Sequence, residues 1–417
     1  GALRAQLEGQ QQWALYGELE RPLIPVLLEM ERAGVALDPA ILAQQSARAA
    51  AEMARLEAEL VELAGERVNL NSGPQLARVL FETLKLKAGR RTKTGFSTDS
   101  AVLEELAAAH PFPARLLEYR ALAKLKSTYL DALPGQVDAR DGRLHTTFNQ
   151  AGAATGRLSS SNPNLQNIPM RTEQGRAVRR AFVAPPGMVL VGADYSQIEL
   201  RIMAHLSGDP ALIEAFRAGE DVHAATARRI FGLPAGPVDP ALRARAKVVN
   251  FGIMYGMGAR SLSRQMGLEL AEAEEFIRHY FAVYARVREY LDATVEEARR
   301  RGWVETLRGR RRRLQGLESA NGAVRSNAER AAINTPIQGS AADLMKIAMI
   351  RVHGVLKRLR PSARLLLQVH DELLLECPAG EADAVSELVR LEMEGCVTLR
   401  VPLRVGTGRG ATWFDVH

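Results

Sequence analysis

The sequence predicts an α+β fold, because it contains helix-like and strand-like segments in separate blocks. Residues 19–34 and 40–64 repeat apolar side chains at the spacing of amphipathic helices. Residues 188–191 and 365–376 are apolar runs typical of buried strands. The chain has 417 residues, 47% of them hydrophobic, which is enough for two or three domains or subdomains.

The elements can be placed in order along the chain. The helix over 40–64 is expected to end at Gly65, and residues 69–74 form a turn before another helix. Short strands and turns are predicted over 142–191, followed by a long helical stretch and then by a return to sheet and helix.

Composition excludes some classes of protein and leaves others open. There is no apolar run of about 18 residues and no basic-then-apolar leader, so neither a membrane span nor a signal peptide is predicted. We expect a cytoplasmic protein. The net charge of +7 and the pI near 9.6 allow binding to a phosphate backbone without establishing it.

Two aspartates follow or interrupt the strand-like runs. Asp194 comes directly after residues 188–191, and Asp371 lies between His370 and Glu372 inside the second run. An acidic group beside apolar core needs an arginine, a helix N-terminus or a metal ion. A pair of such groups indicates Mg²⁺, which proteins hold with one or two carboxylates and substrate phosphates. The alternative is two capping or turn aspartates.

The segment 243–256 predicts a helix with an unusual face. Steps of four place Arg243, Lys247, Phe251 and Tyr255 in one stripe, with two cations followed by two aromatic rings. Such a face offers charge to a triphosphate and a flat surface to a base and sugar. The alternative is an amphipathic helix with solvated cations and core aromatics.

These segments together resemble the family A DNA polymerases of the bacterial DNA polymerase I type. The resemblance covers nearly the whole chain in the family's order and is greatest to the polymerase-bearing large fragments of thermophilic bacterial enzymes. The segments that carry it are 155–169, 194–201, 243–256, 334–344 and 368–372.

The resemblance implies a right-hand polymerase architecture with an antiparallel-sheet palm, helical fingers and a helical thumb. The expected boundaries are a palm entry segment over 1–28, the thumb over 29–135, palm over 136–199, fingers over 200–335 and palm over 336–417. Relatives commonly carry nuclease-like domains before this region, so no nuclease activity is expected in this chain.

The implied activity is template-directed DNA synthesis, in which a primer 3'-hydroxyl attacks the α-phosphate of a dNTP and pyrophosphate leaves. Asp194 and Asp371 would hold two Mg²⁺ ions, with Mn²⁺ able to substitute, and the Tyr195 carbonyl would complete one shell. Glu372 would assist through water, with an exposed turn carboxylate as the alternative. Lys247 would contact the triphosphate and donate a proton to the leaving group.

The resemblance also implies the residues that bind the nucleotide. Arg243 would contact the terminal phosphate, and Phe251 would stack on the sugar and base. Tyr255 would stand near the templating position. His223 would add a donor, with a structural histidine as the alternative. The further nucleotide-binding residues are Gln197 and Glu199, the latter leaving no room for a 2'-hydroxyl.

DNA contacts are expected from residues whose donors suit the acceptors of the minor groove. Turn formation is the alternative for the asparagine and glutamine side chains. The set predicted for the minor groove is Arg157, Asn164, Gln166, Asn167, Arg330, Asn334, Gln338 and His370. The resemblance places Lys124 and Lys126 in the thumb, which grips duplex DNA, with simple solvation as their alternative.

The expected partners are primer-template DNA and dNTPs. The protein is expected to be a monomer that associates with the bacterial nucleoid. Rival functions are RNA-templated DNA synthesis on the same framework, a single-subunit RNA polymerase and a non-catalytic DNA-binding fragment. Glu199 speaks against RNA synthesis, and the presence of both aspartates with Lys247 and Arg243 speaks against a binding fragment.

Overall fold

The computed structural model describes residues 2–87, 91–92, 95–170 and 172–416. Its first 130 residues are mainly helical, as the periodicity predicts. The α-helices of this N-terminal helical region are α1 (Ala2–Gly9), α2 (Trp13–Leu15), α3 (Arg21–Ala33), α4 (Pro39–Ala64), α5 (Gly73–Arg78), α6 (Ser100–Leu106) and α7 (Pro111–Leu125). Three π-helical turns join them, over Tyr16–Glu20, Val79–Thr83 and Lys126–Leu130.

Local chemistry sets the ends of α4. The side chain of Asp38 accepts a hydrogen bond from the amide of Ala40 at 2.9 Å, and Pro39 occupies the first helical position. The helix ends at Gly65, whose φ of 72° is left-handed and therefore favours glycine. The predicted helix over 40–64 and its predicted end are confirmed.

Helices also fill the stretch between the two aspartates, here called the middle helical region. A short helix α8 (Glu173–Val178) precedes it. The region contains α9 (Ile198–Ser207), α10 (Pro210–Arg217), α11 (Val222–Phe231), α12 (Pro240–Met254), α13 (Ala259–Met266), α14 (Leu270–Val283) and α15 (Ala285–Arg301). It leads into α16 (Gly322–Leu359), and α17 (Ala382–Glu394) follows later. Because α16 runs through residue 335, the fingers-palm boundary predicted there falls inside a helix.

The strands are short except in one sheet. In chain order they are β1 (Val35–Ala36), β2 (Arg91–Thr92), β3 (Gly95–Phe96), β4 (Val137–Asp138), β5 (Arg143–Leu144), β6 (Thr147–Asn149), β7 (Ser159–Ser161), β8 (Met188–Tyr195), β9 (Trp303–Glu305), β10 (Arg311–Arg313), β11 (Arg364–Val369), β12 (Glu372–Pro378) and β13 (Val405–Gly410). The 3₁₀ turns are Pro134–Gln136, Arg179–Ala181 and Ala379–Glu381.

The central sheet is antiparallel, with the order β11-β12-β8-β13. The apolar segment 365–376 belongs to two strands, because the chain turns back at His370 and Asp371. His370 takes a left-handed φ of 55° at this turn. In the pairing of β12 with β8, Glu372 lies opposite Asp194. The turn carrying Asp371 therefore lies beside the end of β8 that carries Asp194.

The sheet is packed on the main hydrophobic core. Leu190, Val191, Leu373 and Leu375 are each 0% exposed, and the same core continues into α3, α9 and α16. A second, smaller core joins the far end of α4 to α5, α6 and α7. In the part of the chain that the structure describes, no helix has the length and apolar character needed to cross a membrane.

Candidate active site

A cavity of about 530 Å³ opens where the central sheet meets α9, α11, α12 and α16. It brings together residues that are up to 214 positions apart in the sequence, from Arg157 to Asp371. The predicted site residues that line it are Arg157, Gln166, Asp194, Tyr195, Gln197, Glu199, His223, Arg243, Lys247, Phe251, Tyr255, His370 and Asp371.

Asp194 and Asp371 are brought together by the backbone of the sheet. The amide of Tyr195 donates a hydrogen bond to the carbonyl of Asp371 at 3.1 Å. Burial raises the pKa of Asp371, and the nearby charge of Glu372 acts in the same direction, while His370 and Arg157 oppose it. A bound cation would favour the charged form of this carboxylate. The donor set of two carboxylates and a backbone carbonyl therefore fits a hard divalent ion.

A glutamine pair supports the turn that carries Asp371. The Gln368 side chain donates to the carbonyl of His370 at 2.5 Å. The Gln166 side chain donates in turn to the carbonyl and side-chain oxygens of Gln368, each at 3.1 Å. Gln166, predicted to contact DNA, thus also braces the turn between β11 and β12.

The structure buries Glu372 at the start of β12. It is 5% exposed and is not among the residues that line the cavity. Its two carboxylate oxygens accept hydrogen bonds from Arg179 at 3.3 Å and from the indole of Trp413 at 2.9 Å. Glu372 is the first residue of β12 and contacts Arg179 and Trp413, whereas Asp371 lies in the turn before the strand. Glu372 is therefore not an exposed turn carboxylate, and a water-mediated contact with a metal ion stays a prediction.

The stripe predicted on residues 243–256 lies along α12 and faces the cavity. Asp239 caps this helix by accepting from the amide of Ala241 at 2.8 Å. The guanidinium of Arg243 donates to Asp221 at 2.6 Å. The rings of Phe251 and Tyr255 are stacked with centroids 6.5 Å apart. Cations and aromatic rings therefore occupy separate ends of one wall.

A hydrogen-bonded group closes the aromatic end of the cavity. The hydroxyl of Tyr255 donates to one oxygen of Glu199, and Arg157 donates to the other at 2.5 Å. Burial raises the pKa of Tyr255, and the adjacent Glu199 carboxylate adds to the effect. Glu199 is 8% exposed, so its charge is held by Arg157 inside the protein. The predicted proximity of Glu199 to Tyr255 is observed.

His223 lies at the end of the cavity that carries the cations of α12, next to the ring of Phe251 with centroids 5.6 Å apart. Asp221 accepts from its backbone amide at 2.9 Å and also binds Arg243, which brings the imidazole near that cation. Burial lowers the pKa of His223 to about 4, with Arg243 and Lys247 acting in the same direction and Asp221 opposing. The imidazole is therefore neutral at pH 7.

This pKa predicts a pH-dependent stability. The ordinary pKa is 6.5, so between about pH 6.5 and 4 the unfolded chain binds a proton that the folded chain does not, and stability falls as the pH falls. His223→Gln removes the contribution of this histidine to the pH dependence of stability. We expect the free energy of unfolding, measured by urea denaturation, to fall less from pH 6.5 to 4 in His223→Gln than in the parent. Parallel profiles would contradict the assignment.

Other predicted DNA-contact residues do not line the cavity. Asn164 accepts from the amide of Gln166 at 3.0 Å, so it forms the turn considered as its alternative. The carbonyl of Asn167 accepts from Tyr129, and Lys126 is paired with Asp131 at 2.7 Å. The remaining residues of this group are Lys124, Arg330, Asn334 and Gln338.

Gln338 and Arg330 lie close to the aromatic end of α12. The Gln338 side chain lies near enough to the Tyr255 hydroxyl to lower its pKa against the effect of burial, and a side chain at Gly256 would meet Arg330 Cγ at 3.0 Å. Gly256 has a left-handed φ of 69°, so the chain leaves α12 by a route that favours glycine. Both residues therefore flank the cavity without lining it.

Lys346 lines the cavity although the sequence analysis did not select it. It is 1% exposed, and its ammonium is paired with Glu20 at 2.7 Å. Glu20 also binds Arg310, which is paired with Asp343 at 2.7 Å. The available signal was the spacing of four from Gln338 through Ala342 to Lys346, which places these residues on one face of α16.

A separate group could also hold a metal ion. Ligand atoms of Asp138, Asp141 and His145 all lie within 4.8 Å of one another. None of the three lines the cavity. Asp138 is already paired with Arg140 at 2.5 Å, and His145 is hydrogen-bonded to Asp141 at 3.1 Å. Sequence spacing did not indicate this group, because β4 and β5 bring it together only through their hairpin.

An antiparallel sheet with two aspartates, faced by a helix bearing cations and aromatic rings, defines the class of right-hand polymerase domains. The model of "DNA polymerase family A" matches residues 39–415. The chain belongs to this family.

Curated relatives agree with this assignment. The chain is 53% identical over 417 residues to the thermostable DNA polymerase I of Thermus aquaticus, covering 99% of this chain and 50% of the relative. It is 48% identical over 415 residues to DNA polymerase I of Mycobacterium bovis, covering 99% of this chain and 46% of the relative. The chain thus spans about half the length of the curated relatives it matches.

A solved structure shares the fold. It is described as the POL domain of Pol1 from M. smegmatis in complex with a DNA primer-template and dNTP, and it matches with a TM-score of 0.94 at 46% sequence identity. The match covers 100% of this chain and 73% of that chain. The predicted α+β fold of right-hand type is confirmed.

Proposed function

We propose that this chain carries out template-directed DNA synthesis, adding deoxynucleoside monophosphates from dNTPs to a primer 3'-hydroxyl and releasing pyrophosphate. The observation that carries the proposal is the cavity in which Asp194 and Asp371 face the cations and aromatic rings of α12. Membership of DNA polymerase family A supports it. The names of the relatives and the primer-template and dNTP of the matched structure support it further.

Asp194, Asp371 and the Tyr195 carbonyl would hold two divalent ions, Mg²⁺ by preference with Mn²⁺ able to substitute. Bound there, the ions would lower the pKa of the attacking hydroxyl and neutralise charge on the leaving pyrophosphate. The chain's own contribution is to keep the two carboxylates together through the β8–β12 pairing. The Gln166 and Gln368 side chains hold the turn in place.

The wall of α12 would bind the incoming nucleotide. Arg243, Lys247 and the neutral imidazole of His223 would donate to the triphosphate, and Lys247 would protonate the leaving group. Phe251 would stack on the sugar and base. Gln197 would complete the set. Tyr255, now hydrogen-bonded to Glu199, would release this bond when the fingers move around the template base.

The DNA contacts and region boundaries are also proposals. Minor-groove contacts would come from residues on the cavity rim and beside it, namely Arg157, Asn164, Gln166, Asn167, Arg330, Asn334, Gln338 and His370. Lys124 and Lys126 would contact the backbone in the thumb. We further propose the palm, thumb and fingers boundaries given above, and a cytoplasmic, nucleoid-associated location, which rests on the bacterial relatives.

Single-nucleotide extension of a labelled primer tests the proposal. DNA and RNA templates of identical sequence would be compared with each dNTP, with Mg²⁺, with Mn²⁺ and with a chelator. We expect only the templated nucleotide to be added, and only with a divalent ion. DNA binding without extension would refute the proposal in favour of a binding fragment.

RNA-templated synthesis is a second candidate that the comparisons do not favour. The relatives are named as DNA polymerases, and the matched structure holds a DNA primer-template. We therefore expect faster extension on the DNA template than on the RNA template. An equal or faster extension rate on the RNA template would favour RNA-templated synthesis over DNA-templated synthesis.

Glu199→Ala tests the selection of the sugar. The side chain of Glu199 lines the cavity and is held there by Arg157 and Tyr255, so truncation would open space for a 2'-hydroxyl. We expect discrimination against ribonucleotides to fall roughly 10- to 200-fold, the value of about 1–3 kcal/mol of pocket selectivity. The ratio of kcat/KM for dNTP and rNTP measures it. An unchanged ratio would contradict the steric role of Glu199. Glu173→Ala, at an exposed position in the first turn of α8, is the control and should leave the ratio unchanged.

A further inference from the structure

A buried chain of polar side chains lies behind His223, on the side away from the proposed nucleotide. Asn250, Thr226 and Tyr284 are each 0% exposed. The amide nitrogen Nδ2 of Asn250 lies 3.0 Å from Nδ1 of His223 and 3.1 Å from Oγ1 of Thr226. Thr226 Oγ1 lies 2.8 Å from the hydroxyl of Tyr284. These contacts join α11, α12 and the residue that precedes α15.

Thr226 contacts both ends of the Asn250 amide. The Thr226 hydroxyl donates to the carbonyl of Val222 at 2.7 Å and also lies 3.2 Å from Oδ1 of Asn250. With its hydrogen donated to Val222, Thr226 Oγ1 can accept from Nδ2 of Asn250 at 3.1 Å. Nδ2 carries two hydrogens, so it can donate to Thr226 and to Nδ1 of His223 at the same time.

We propose that Asn250 is a positioning residue that holds His223 in the neutral tautomer protonated on Nε2. Because Nδ1 accepts from Asn250, the ring proton must lie on Nε2. The ring lines the cavity together with Arg243 and Lys247. Nε2–H can then donate to an anionic phosphate oxygen. The other tautomer would turn a lone pair towards that oxygen and repel it.

The inference deepens the proposed function and rests on it for the identity of the ligand, a nucleoside triphosphate. The tautomer itself does not depend on activity. In α12, Asn250 lies three positions after Lys247 and directly before Phe251. Helix α12 thus presents Lys247 and Phe251 to the cavity, and it presents the buried side-chain amide of Asn250 to α11.

Asn250→Asp tests the tautomer directly. A carboxylate at this position can only accept, so Nδ1 of His223 would have to carry a proton. With ¹⁵N-labelled histidine and His223→Gln to assign the signal, we expect the Nε2–H pattern of chemical shifts in the parent at pH 8. Asn250→Asp should give the Nδ1–H or doubly protonated pattern. An Nδ1–H signal in the parent would overturn the proposal.

Steady-state kinetics distinguish an effect through His223 from a general structural effect. Asn250→Asp should raise the KM for dNTP roughly 10-fold, the value of one charge-assisted hydrogen bond of about 1.4 kcal/mol, with a smaller change in kcat. In the His223→Gln background the same substitution should leave KM unchanged. An equal rise in both backgrounds would overturn the proposal.

Asn321→Asp is the matched control. Asn321 caps α16 at an exposed position, where aspartate caps equally well, so KM should not change. The ¹⁵N spectrum of His223 requires no catalysis, so the proposal about the tautomer can be tested separately from the proposed polymerase function. A parent chain that fails to extend a primer refutes the proposed function, whereas the histidine signals decide the tautomer in either case.

Discussion

Asp371→Asn is expected to lower the rate constant of single-nucleotide incorporation by roughly 10³-fold. The carboxylate lines the cavity beside Asp194, and the substitution removes one of the two charges proposed to hold divalent ions. Loss of such an ion's stabilisation of the transition state is worth several kcal/mol, and each 1.36 kcal/mol changes the rate tenfold. The fold should persist, because asparagine is isosteric and the Tyr195 amide bonds to the residue 371 backbone carbonyl.

Rapid-quench measurement of one incorporation event gives this rate constant without interference from product release. Asp194→Asn should behave alike, and the double variant should lose little more than either single variant, because the two carboxylates act as a unit. Asp383→Asn is the matched control, since that aspartate is exposed and is paired with Arg409. An Asp371→Asn enzyme with more than about a tenth of the parent rate would contradict the assignment.

Arg179→Met is expected to destabilise the fold by about 3–5 kcal/mol. Arg179 and Glu372 are both buried and are paired at 3.3 Å. The guanidinium also lies over the ring of Trp413, 3.8 Å from its centroid. Methionine fills a similar volume but removes the Arg179 guanidinium from the buried Glu372 carboxylate, one of whose oxygens accepts from Trp413.

Urea denaturation followed by tryptophan fluorescence measures this loss. Replacing both charges, in Arg179→Met with Glu372→Leu, should recover most of the stability, because an apolar pair avoids the buried charge. Arg288→Met, which breaks an exposed pair with Asp292, should cost less than about 1 kcal/mol. A loss in Arg179→Met as small as in Arg288→Met would show that the pair does not anchor the sheet.

The contacts of Glu372 with Arg179 and Trp413 also explain why only its neighbour Asp371 lines the cavity. Asp371 and Glu372 are adjacent in sequence, but one lies in the turn and the other begins β12. Because Asp371 lies outside the strand, its side chain does not follow the alternation that directs the side chains of β12. Glu372 fixes the end of the sheet through Arg179 and Trp413, and Asp371 remains available to the cavity. The sequence suggested similar roles for Asp371 and Glu372, because it does not show the direction in which each side chain points.

Local patterns predicted the elements well where chemistry is local. The Gly65 terminus of α4 follows from the need for a left-handed residue after a helix, and the face of α12 follows from the 3.6-residue repeat. Strand-like runs beside Asp194 and Asp371 indicated that both aspartates lie at the ends of strands. The hairpin at His370 was not predicted, because residues 365–376 lack a glycine or proline to mark the turn.

By itself the sequence determined the α+β class and the resemblance to a family of polymerases. It also identified the two candidate metal-binding aspartates and the stripe on α12. These conclusions follow from periodicity and motif order, which can be read along the chain. Only the tertiary structure decided which partners complete them. Lys346 reaches the cavity through the packing of α16, Asn250 meets His223 across two helices, and Glu372 turns to Arg179 and Trp413. These contacts join residues as much as 193 positions apart. Burial and hydrogen-bond geometry select them, and neither is encoded in local spacing.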